Sequence, residues 1–352
     1  MAKKLRCAVF GAGFWTGYQL AAWREVGGVD LVAIYNRSRP KAEAVAKRFG
    51  ISLVLDDAEK LLREVKPDFV DNITEVGGHK PLSLLCAKHR TPCICQKPMA
   101  GSLRDARAMV KAFRAAKTPF FVHENWRWQT PMRQVKRLLG SGVIGTPFRG
   151  RLTMISGYEG WVNQPALKEL EQFILTDLGT HVFDTARCFF GEARSLFART
   201  TRTLPGVLKG ENVCTALLEM GEARTHVVVE LAYARTPLER ECFPQTLVFV
   251  EGPLGSIEVT NDYWVRVTTS RGTHSERHAP PRYEWANPRY DIAHASIVEC
   301  HRDILRALQG RGQAETTGED NLRTLELVFA AYESARTGKS LSWKPQAGRQ
   351  KT

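Results

Sequence analysis

The sequence predicts an α/β protein in two parts, a doubly wound parallel sheet followed by a domain with a large, open, mostly antiparallel sheet. The first observation is length, since 352 residues are long for one domain and ample for two. The second is that short β-rich runs alternate with helical patterns from Leu5 to His123, whereas the later runs follow one another. The third is a glycine-rich loop directly after the first run. We expect domains at 1–124 and 125–340 and a basic tail at 341–352.

Each predicted strand and helix is marked by a local pattern in the sequence. Six runs bounded by turn residues predict the parallel sheet, at 6–10, 31–35, 52–55, 69–73, 92–95 and 120–123. After a helix at 131–139, alternating runs predict strands at 150–156, 213–220, 225–231, 246–251 and 256–260. Two helical patterns follow at 293–308 and 319–337, the second ended by Gly338. Six strands are enough for a complete dinucleotide-binding domain.

Composition excludes several classes of protein. Hydrophobic residues make up 43% and charged residues 25%, so a collagen-like or mostly disordered chain is excluded. No run reaches the ~18 consecutive apolar residues of a membrane helix, and the first residues do not form a signal-peptide pattern. We therefore expect no membrane partner and a cytoplasmic location.

Net charge and cysteine content further restrict the kinds of ligand and partner that we expect. The net charge is +13, yet basic residues are spread along the chain without a block of five or six, so we expect an anionic ligand and no nucleic acid. The eight cysteines are scattered, and only Cys93 and Cys95 lie close together. This spacing does not complete a zinc site, so we expect no metal and buried thiols in a reducing compartment.

The glycine-rich loop predicts a dinucleotide site. Gly11 permits a tight turn, Gly13 lets the backbone approach a pyrophosphate, and the following helix offers its N-terminal N–H groups. Thr16 stands at the third small position of the G-x-G-x-x-G pattern, so the match is imperfect. The loop follows a strand and opens a helix, which favours cofactor binding over a purely structural turn.

The end of the second strand bears on which cofactor binds. A carboxylate at this place binds the ribose 2′-hydroxyl of NAD, whereas a cation accommodates the 2′-phosphate of NADP. Here the sequence has Asn36, Arg37 and Ser38, followed by Arg39. The missing acid slightly favours NADP. NAD remains open, and a solvated loop is the alternative for the arginines.

Two motifs carry residues suited to chemistry. Lys97 closes the fifth strand, at the sheet edge that α/β proteins expose to ligands. Asp177 and His181 are four residues apart and share a face if the segment is helical, a pairing that suits acid/base work. Each feature alone is more typical of a surface lysine or a satisfied polar pair, and together they indicate a catalytic site.

The glycine loop, Gln96-Lys97-Pro98 and Asp177-x-Gly179-x-His181-x-x-Asp184 resemble the Gfo/Idh/MocA family of sugar and cyclitol oxidoreductases. The resemblance spans nearly the whole chain. It implies a Rossmann domain followed by an α/β domain whose open sheet covers the nicotinamide and often mediates homodimers or homotetramers. This chain departs from the family pattern at Gln96, where glutamate is usual and helps to position the lysine and the cofactor.

The resemblance and the residue chemistry lead to one mechanism. A sugar hydroxyl lies between Lys97, His181 and the nicotinamide, His181 takes its proton, Lys97 stabilises the alkoxide, and hydride passes to NAD(P). Asp177 holds the sugar or orients the histidine. The remaining candidates are weaker: for the cofactor Phe14, Trp15, Thr74, His79 and Gln96, and for the substrate Asn125, Arg127, Tyr158 and Tyr233, where Arg127 has a structural ion pair as its alternative.

Two other functions stay open at this point. Some relatives keep the cofactor bound, oxidise a sugar transiently and eliminate an aglycone, so that no net redox change occurs. Others are transcriptional co-repressors, a non-enzymatic role that the charge of +13 would suit. Retention of Lys97, Asp177 and His181 argues against the second function.

Overall fold

A computed structural model describes residues 4–234 and 243–343 of the chain. Two compact units make it up: the first comprises Met1–Trp128 and Arg282–Leu325, the second Gln129–Pro281 and Glu326–Thr352. Cys242 and the basic tail from residue 344 lie outside the described residues. Within the described ranges no helix combines the length and apolar character needed to cross a bilayer.

The first unit is built on a six-stranded parallel sheet. Its strands are β1 (Leu5–Phe10), β2 (Val29–Tyr35), β3 (Leu53–Leu55), β4 (Phe69–Asn72), β5 (Cys93–Gln96) and β6 (Phe120–His123). They lie in the order β3-β2-β1-β4-β5-β6, so the direction of winding reverses between β1 and β4. Ligands of such sheets bind at that reversal, outside the carboxyl ends of the strands. The predicted doubly wound fold is confirmed.

Helices flank this sheet: α1 (Thr16–Val26), α2 (Arg39–Phe49), α3 (Ala58–Val65), α4 (Val76–Lys88) and α5 (Leu103–Ala116). Local signals set their ends. The Ser102 hydroxyl accepts the N–H of Asp105 at 3.2 Å, and the Asp57 carboxylate accepts the N–H of Lys60 at 2.9 Å, so both helices begin with satisfied N–H groups.

The core of the first unit contains polar groups as well as apolar ones. Trp23, on α1, donates its indole N–H to the Asp71 carboxylate on β4 at 2.8 Å, and both side chains are buried. His301 stacks on Trp23 with ring centroids 3.8 Å apart. His301 belongs to α8 (Asp291–Leu308), which follows α6 (Thr130–Gly140) and α7 (Thr180–Phe190) in the chain and packs against α1. The chain therefore returns to the first unit after leaving it, which a single boundary at residue 124 does not describe.

The second unit contains a nine-stranded sheet. Its strands are β7 (Arg149–Ser156), β8 (Ala193–Thr201), β9 (Val213–Met220), β10 (Thr225–Tyr233), β11 (Leu247–Gly252), β12 (Gly255–Val259), β13 (Trp264–Thr269), β14 (Gly272–Arg277) and β15 (Leu341–Ser342). The order is β14-β13-β12-β11-β7-β10-β9-β8-β15, with only the β7–β10 pair parallel among the described strands. The predicted mostly antiparallel sheet is confirmed. The last helix, α9 (Gly318–Thr337), precedes β15.

Candidate active site

The glycine loop after β1 forms a cradle with room for a phosphate group. Gly11 has φ of +108°, and a Cβ there would lie 2.8 Å from the backbone of Ile73, so only glycine fits. A Cβ on Gly13 would meet nothing within 4 Å, so the space beside it is open. Thr16, the first residue of α1, accepts the Gly13 N–H at 3.1 Å and donates to the Gly11 carbonyl at 3.3 Å. These residues fit a dinucleotide pyrophosphate, held by loop N–H groups at a helix N-terminus.

The loop after β2 presents the residues expected to contact the cofactor ribose. Asn36 donates its amide to the Ser38 carbonyl at 2.9 Å, and Arg39 pairs with Glu43 at 2.9 Å. Arg37 is exposed, and no ion pair to it occurs within the described parts of the chain. The loop therefore offers an uncompensated guanidinium near the ribose position and no carboxylate between Asn36 and Arg39.

His79 joins two loops at the carboxyl edge of the sheet. Its Nδ1 lies 2.9 Å from the Pro98 carbonyl oxygen and its Nε2 lies 2.9 Å from the Thr74 carbonyl oxygen. Burial lowers the pKa of His79, and the two carbonyl contacts oppose that effect. His79 therefore links Thr74 to the Lys97–Pro98 segment. Direct cofactor contacts of His79 and Thr74 stay predictions.

Lys97 directly follows β5 and is half-buried. Its backbone N–H donates to Oε1 of Gln96 at 2.8 Å, and the Lys97–Pro98 peptide is cis. Gln96 thus fixes the backbone of its neighbour through an uncharged amide. The arrangement leaves the lysine at the carboxyl edge of sheet β1–β6, the edge where the glycine loop also lies.

The three polar residues that follow β6 have different partners. Glu124 is fully buried, accepts the N–H of Trp126 at 3.2 Å, and has its pKa raised to about 7 by burial, an effect that Lys97 and Arg127 partly offset. Asn125 donates its amide to the Ala293 carbonyl at 3.2 Å and to the Ser296 hydroxyl at 2.7 Å.

Arg127 forms structural ion pairs, which was the alternative to a substrate-binding role. It is buried, with its guanidinium 2.9 Å from the Asp320 carboxylate and 3.8 Å from the Glu315 carboxylate. These contacts and those of Asn125 stabilise the packing of the returning segment 282–325 within the first unit. Substrate contacts by Asn125 and Arg127 stay predictions.

In the second unit Asp177 and His181 occupy one continuous helical segment. Asp177 lies in a π-helical turn, Leu175–Gly179, and His181 is the second residue of α7, which begins directly after that turn. Such turns widen a helix and recur at functional sites. Asp177 is half-buried and His181 is buried at 5% exposure. The segment is helical, as predicted, but its turn at Asp177 is wider than that of an α-helix, and the pairing of Asp177 with His181 stays a prediction.

Tyr233 connects to this segment from the end of β10. Its hydroxyl donates to Oδ2 of Asp177 at 2.9 Å, and its ring stacks on Phe173 with centroids 5.5 Å apart. Burial raises the pKa of Tyr233, and the Asp177 carboxylate raises it further, so the hydroxyl keeps its proton. The structure thus brings together two of the predicted residues, Tyr233 and Asp177, by a direct hydrogen bond.

The other predicted aromatic residues have ring partners. Tyr158 stacks on Phe243 at 4.9 Å and accepts the Asn163 amide at 3.3 Å. In the glycine loop Phe14 is 41% exposed and lies edge-on to Trp15 at 5.2 Å. Their contacts to a substrate or cofactor stay predictions.

Two residues, Thr16 and Glu124, were not predicted from the sequence to belong to the site. The Thr16 hydroxyl closes the glycine loop, and a hydroxyl at that position was visible only as a departure from a motif. Glu124 is buried beside Lys97. The sequence contains a signal for this proximity, because Lys97 and Glu124 each directly follow one of two neighbouring strands. Parallel strands end at the same sheet edge, so such residues lie close together.

Comparison with known proteins agrees with this architecture. The profile described as "Oxidoreductase family, NAD-binding Rossmann fold" matches residues 5–124, and the "GFO/IDH/MocA C-terminal domain" matches residues 132–258. The chain is 40% identical over 338 residues to a D-apiose dehydrogenase of Rhizobium rhizogenes, covering 96% of this chain and 97% of that one. A D-apiose dehydrogenase of Paraburkholderia graminis is also 40% identical, over 97% of this chain and 90% of its own length. Three parts of the sequence, Gln96, Gly11–Trp15 and Gln19–Trp23, predict a similarity to D-apiose dehydrogenases, and these two relatives confirm it.

A solved structure supports the same assignment. An oxidoreductase from Agrobacterium radiobacter, in complex with NAD+, L-tartaric acid and magnesium, superposes with a TM-score of 0.93 at 40% identity, covering 96% of this chain and 98% of that one. Levoglucosan dehydrogenase shares the fold at 18% identity, with a TM-score of 0.82. The two matched profiles together span more than half of the chain. The chain therefore belongs to the Gfo/Idh/MocA family of oxidoreductases.

Proposed function

We propose that this protein is an NAD(P)-dependent sugar dehydrogenase that transfers hydride from a sugar hydroxyl carbon to nicotinamide, with D-apiose as the first substrate to test. The observation that carries the proposal is 40% identity to D-apiose dehydrogenases over nearly the full length of both chains. The glycine-loop cradle and the half-buried Lys97 at the same sheet edge support it.

The catalytic roles follow from the chemistry of three side chains. His181 takes the hydroxyl proton, because an imidazole exchanges protons near neutral pH. The Lys97 ammonium stabilises the negative charge that develops on the substrate oxygen. Asp177, held by the Tyr233 hydroxyl, orients the sugar or the histidine. Nicotinamide, when bound, supplies the hydride acceptor. In the reverse direction the same groups protonate a carbonyl oxygen.

The cofactor preference is a finer part of the proposal. The matched profile is that of an NAD-binding fold and the solved relative holds NAD+, so NAD is the first cofactor to test. We propose that NADP is accepted as well, because Arg37 is exposed and no carboxylate lies at position 36 to repel a 2′-phosphate. The ratio of kcat/KM for NADP to that for NAD measures this preference, and an Arg37→Ala variant with a lower ratio would support it.

The central experiment is to follow the absorbance of reduced nicotinamide while the enzyme is offered D-apiose and a panel of other sugars and cyclitols. Lys97→Ala is expected to lower kcat by about 10²–10³-fold while cofactor binding persists, because it removes one electrostatic stabiliser of the transition state. Lys88→Ala is a matched control, since Lys88 is an exposed lysine paired with Glu59 at 2.7 Å. Full turnover by Lys97→Ala would disprove the catalytic role.

The same experiment separates the alternatives. Cofactor that remains tightly bound and gives no net absorbance change, while a glycoside is cleaved, would indicate the redox-neutral reaction. Absence of cofactor binding would remove the enzymatic proposal altogether.

The exposed face of sheet β7–β15 supports a further proposal, that the protein is a homodimer or homotetramer. Strand register aligns Phe197, Leu217 and Val228 in one row, and Leu217 is 52% exposed. An apolar row of this kind is costly in water and is buried when a second copy covers it. Light scattering of the wild type and of Leu217→Arg tests it, the variant being expected to dissociate. The cytoplasmic location stays a prediction.

A further inference from the structure

The side chain placed to balance the charge of Lys97 is not its sequence neighbour. Gln96 is neutral, and its side-chain oxygen is engaged with the Lys97 backbone N–H at 2.8 Å. A half-buried ammonium that must act on a reacting oxygen needs a fixed position, and an adjacent carboxylate provides both charge balance and orientation.

The register of the parallel sheet brings Glu124 to this place. Gln96 on β5 pairs with His123 on β6, so Lys97 and Glu124 are the next residues beyond a paired position. Neighbouring strands lie about 4.8 Å apart, which puts the two backbones side by side at the sheet edge. The positive charge of Lys97 lowers the pKa of the Glu124 carboxyl group, against the larger effect of burial.

The Glu124 carboxyl is also fixed in the protein. It is fully buried, and one oxygen accepts the Trp126 N–H at 3.2 Å. Its other charged neighbour, Arg127, is paired with Asp320 at 2.9 Å and with Glu315 at 3.8 Å. A buried carboxylate is retained at such a position only when charged or hydrogen-bonding partners compensate for its lost hydration.

We propose that Glu124 is a positioning residue for Lys97, holding its ammonium in place for catalysis in a chain whose motif carries Gln96. The inference rests on the proposed catalytic role of Lys97. Glu124 does not touch the reacting atoms in this scheme, since it acts through the lysine.

The pH behaviour of the pair follows from its surroundings. The groups that face Glu124 are Lys97 after β5, Arg127 after β6 and Cys300 on α8, whose Sγ lies 3.9 Å from the Glu124 carbonyl oxygen. Burial raises the pKa of Glu124 to about 7 and that of Cys300 above its usual range. Glu124 is therefore the group that changes charge near neutrality, and the positioning interaction weakens as pH falls through about 7.

The first test measures the reactivity of Lys97 without turnover. Trace acetylation of the folded protein with acetic anhydride at about pH 8, quantified by mass spectrometry, reports how readily the Lys97 amine reacts. Glu124→Gln is expected to raise the acetylation rate of Lys97 severalfold, because the amine is no longer held by a neighbouring carboxylate and meets the reagent more often. Glu315→Gln is the matched control, since it removes a carboxylate from the same network on the Arg127 side, and is expected to leave the rate unchanged.

The second test uses the pH profile of kcat. The acidic limb of the wild-type profile is expected to combine protonation of Glu124, near pH 7, with protonation of the general base His181, whereas Glu124→Gln has a lower kcat and an acidic limb that comes from His181 alone. Glu124→Asp, which keeps the charge, is expected to restore part of both properties, and thermal unfolding checks that all variants fold. An unchanged acetylation rate and pH profile in Glu124→Gln would overturn the proposal. Absence of hydride transfer in the wild type would instead count against the proposed function, and the acetylation result would still decide the Lys97–Glu124 interaction.

Discussion

Asp71 provides a quantitative test of the electrostatics of the dinucleotide-binding core. It is a buried carboxyl in the middle of sheet β1–β6, and burial raises its pKa from 3.8 to about 7, although the Trp23 N–H bond at 2.8 Å opposes the shift. Its Oδ1 has no hydrogen-bond partner among the residues that the structure describes. The neighbouring groups do not titrate with it: burial lowers the pKa of His301 well below its usual value and raises that of Cys7.

The sign of the pH effect follows from this shift. A carboxyl with a raised pKa binds its proton more tightly in the folded than in the unfolded chain, so low pH favours the folded state. The cost of ionising Asp71 appears as pH rises above about 4 and is complete above about 7. About three pH units correspond to roughly 4 kcal/mol in total, of which roughly 2–3 kcal/mol falls between about pH 5 and pH 8.

Asp71→Asn removes the cost of ionising this buried carboxyl group, and it keeps a side-chain oxygen that accepts the Trp23 N–H. At each pH the free energy of unfolding of the wild type is subtracted from that of the variant. This difference is expected to increase by roughly 2–3 kcal/mol between about pH 5 and pH 8. Urea denaturation at both pH values measures it. Asp30→Asn serves as control, because Asp30 is an exposed partner of Lys4 at 3.1 Å and such pairs contribute at most about 1 kcal/mol. An Asp71→Asn difference that is the same at both pH values would refute the reasoning.

Three further substitutions test the cofactor cradle and the second unit. Gly11→Ala is expected to lower the melting temperature and abolish cofactor binding, because its Cβ would lie 2.8 Å from the Ile73 backbone, whereas Gly13→Ala meets no atom within 4 Å and is expected to weaken cofactor binding at unchanged stability. Thermal unfolding and fluorescence titration distinguish them, and equal melting temperatures would contradict this prediction. Tyr233→Phe removes the hydrogen bond to Asp177 and keeps the ring stack, so kcat/KM is expected to fall about tenfold with little loss of stability. Unchanged kinetics would show that Asp177 does not need this bond.

The parts of the fold that the sequence predicted are those with strong local patterns. The strand at 120–123 and the strand at 213–220 were predicted to the residue, since apolar or alternating runs with clear turn residues mark both. Strand β14 was not predicted because all six of its residues are exposed, so no alternation marks it. Strand β8 has only two buried positions, Leu196 and Ala198, and arginine, serine and threonine residues flank them, so the alternation is too short to mark a strand.

The rest depended on contacts between residues far apart in the chain. The return of α8 to the first unit is fixed by bonds such as that from Asn125 to Ser296, 171 residues away, and no local pattern records such a contact. The π-helical turn at Asp177 likewise reads as ordinary helix in sequence. The spacing of Asp177 and His181 was therefore predictable, but their exact relation within the wider turn was not.

Departures from a family motif are informative when they are read together with the residues that surround them in space. Thr16 replaces a small residue, and its hydroxyl then ties the glycine loop to itself with two hydrogen bonds. Gln96 replaces a carboxylate, and a buried carboxyl group, that of Glu124, directly follows the neighbouring strand. In both places geometry, and not the motif, identifies the side chain concerned: the Thr16 hydroxyl in the glycine loop and, as proposed above, Glu124 for Lys97. When a residue at the end of a parallel strand departs from a family motif, the residue that follows the adjacent strand should therefore be considered as well. The two residues lie at the same edge of the sheet, because parallel strands end at that edge.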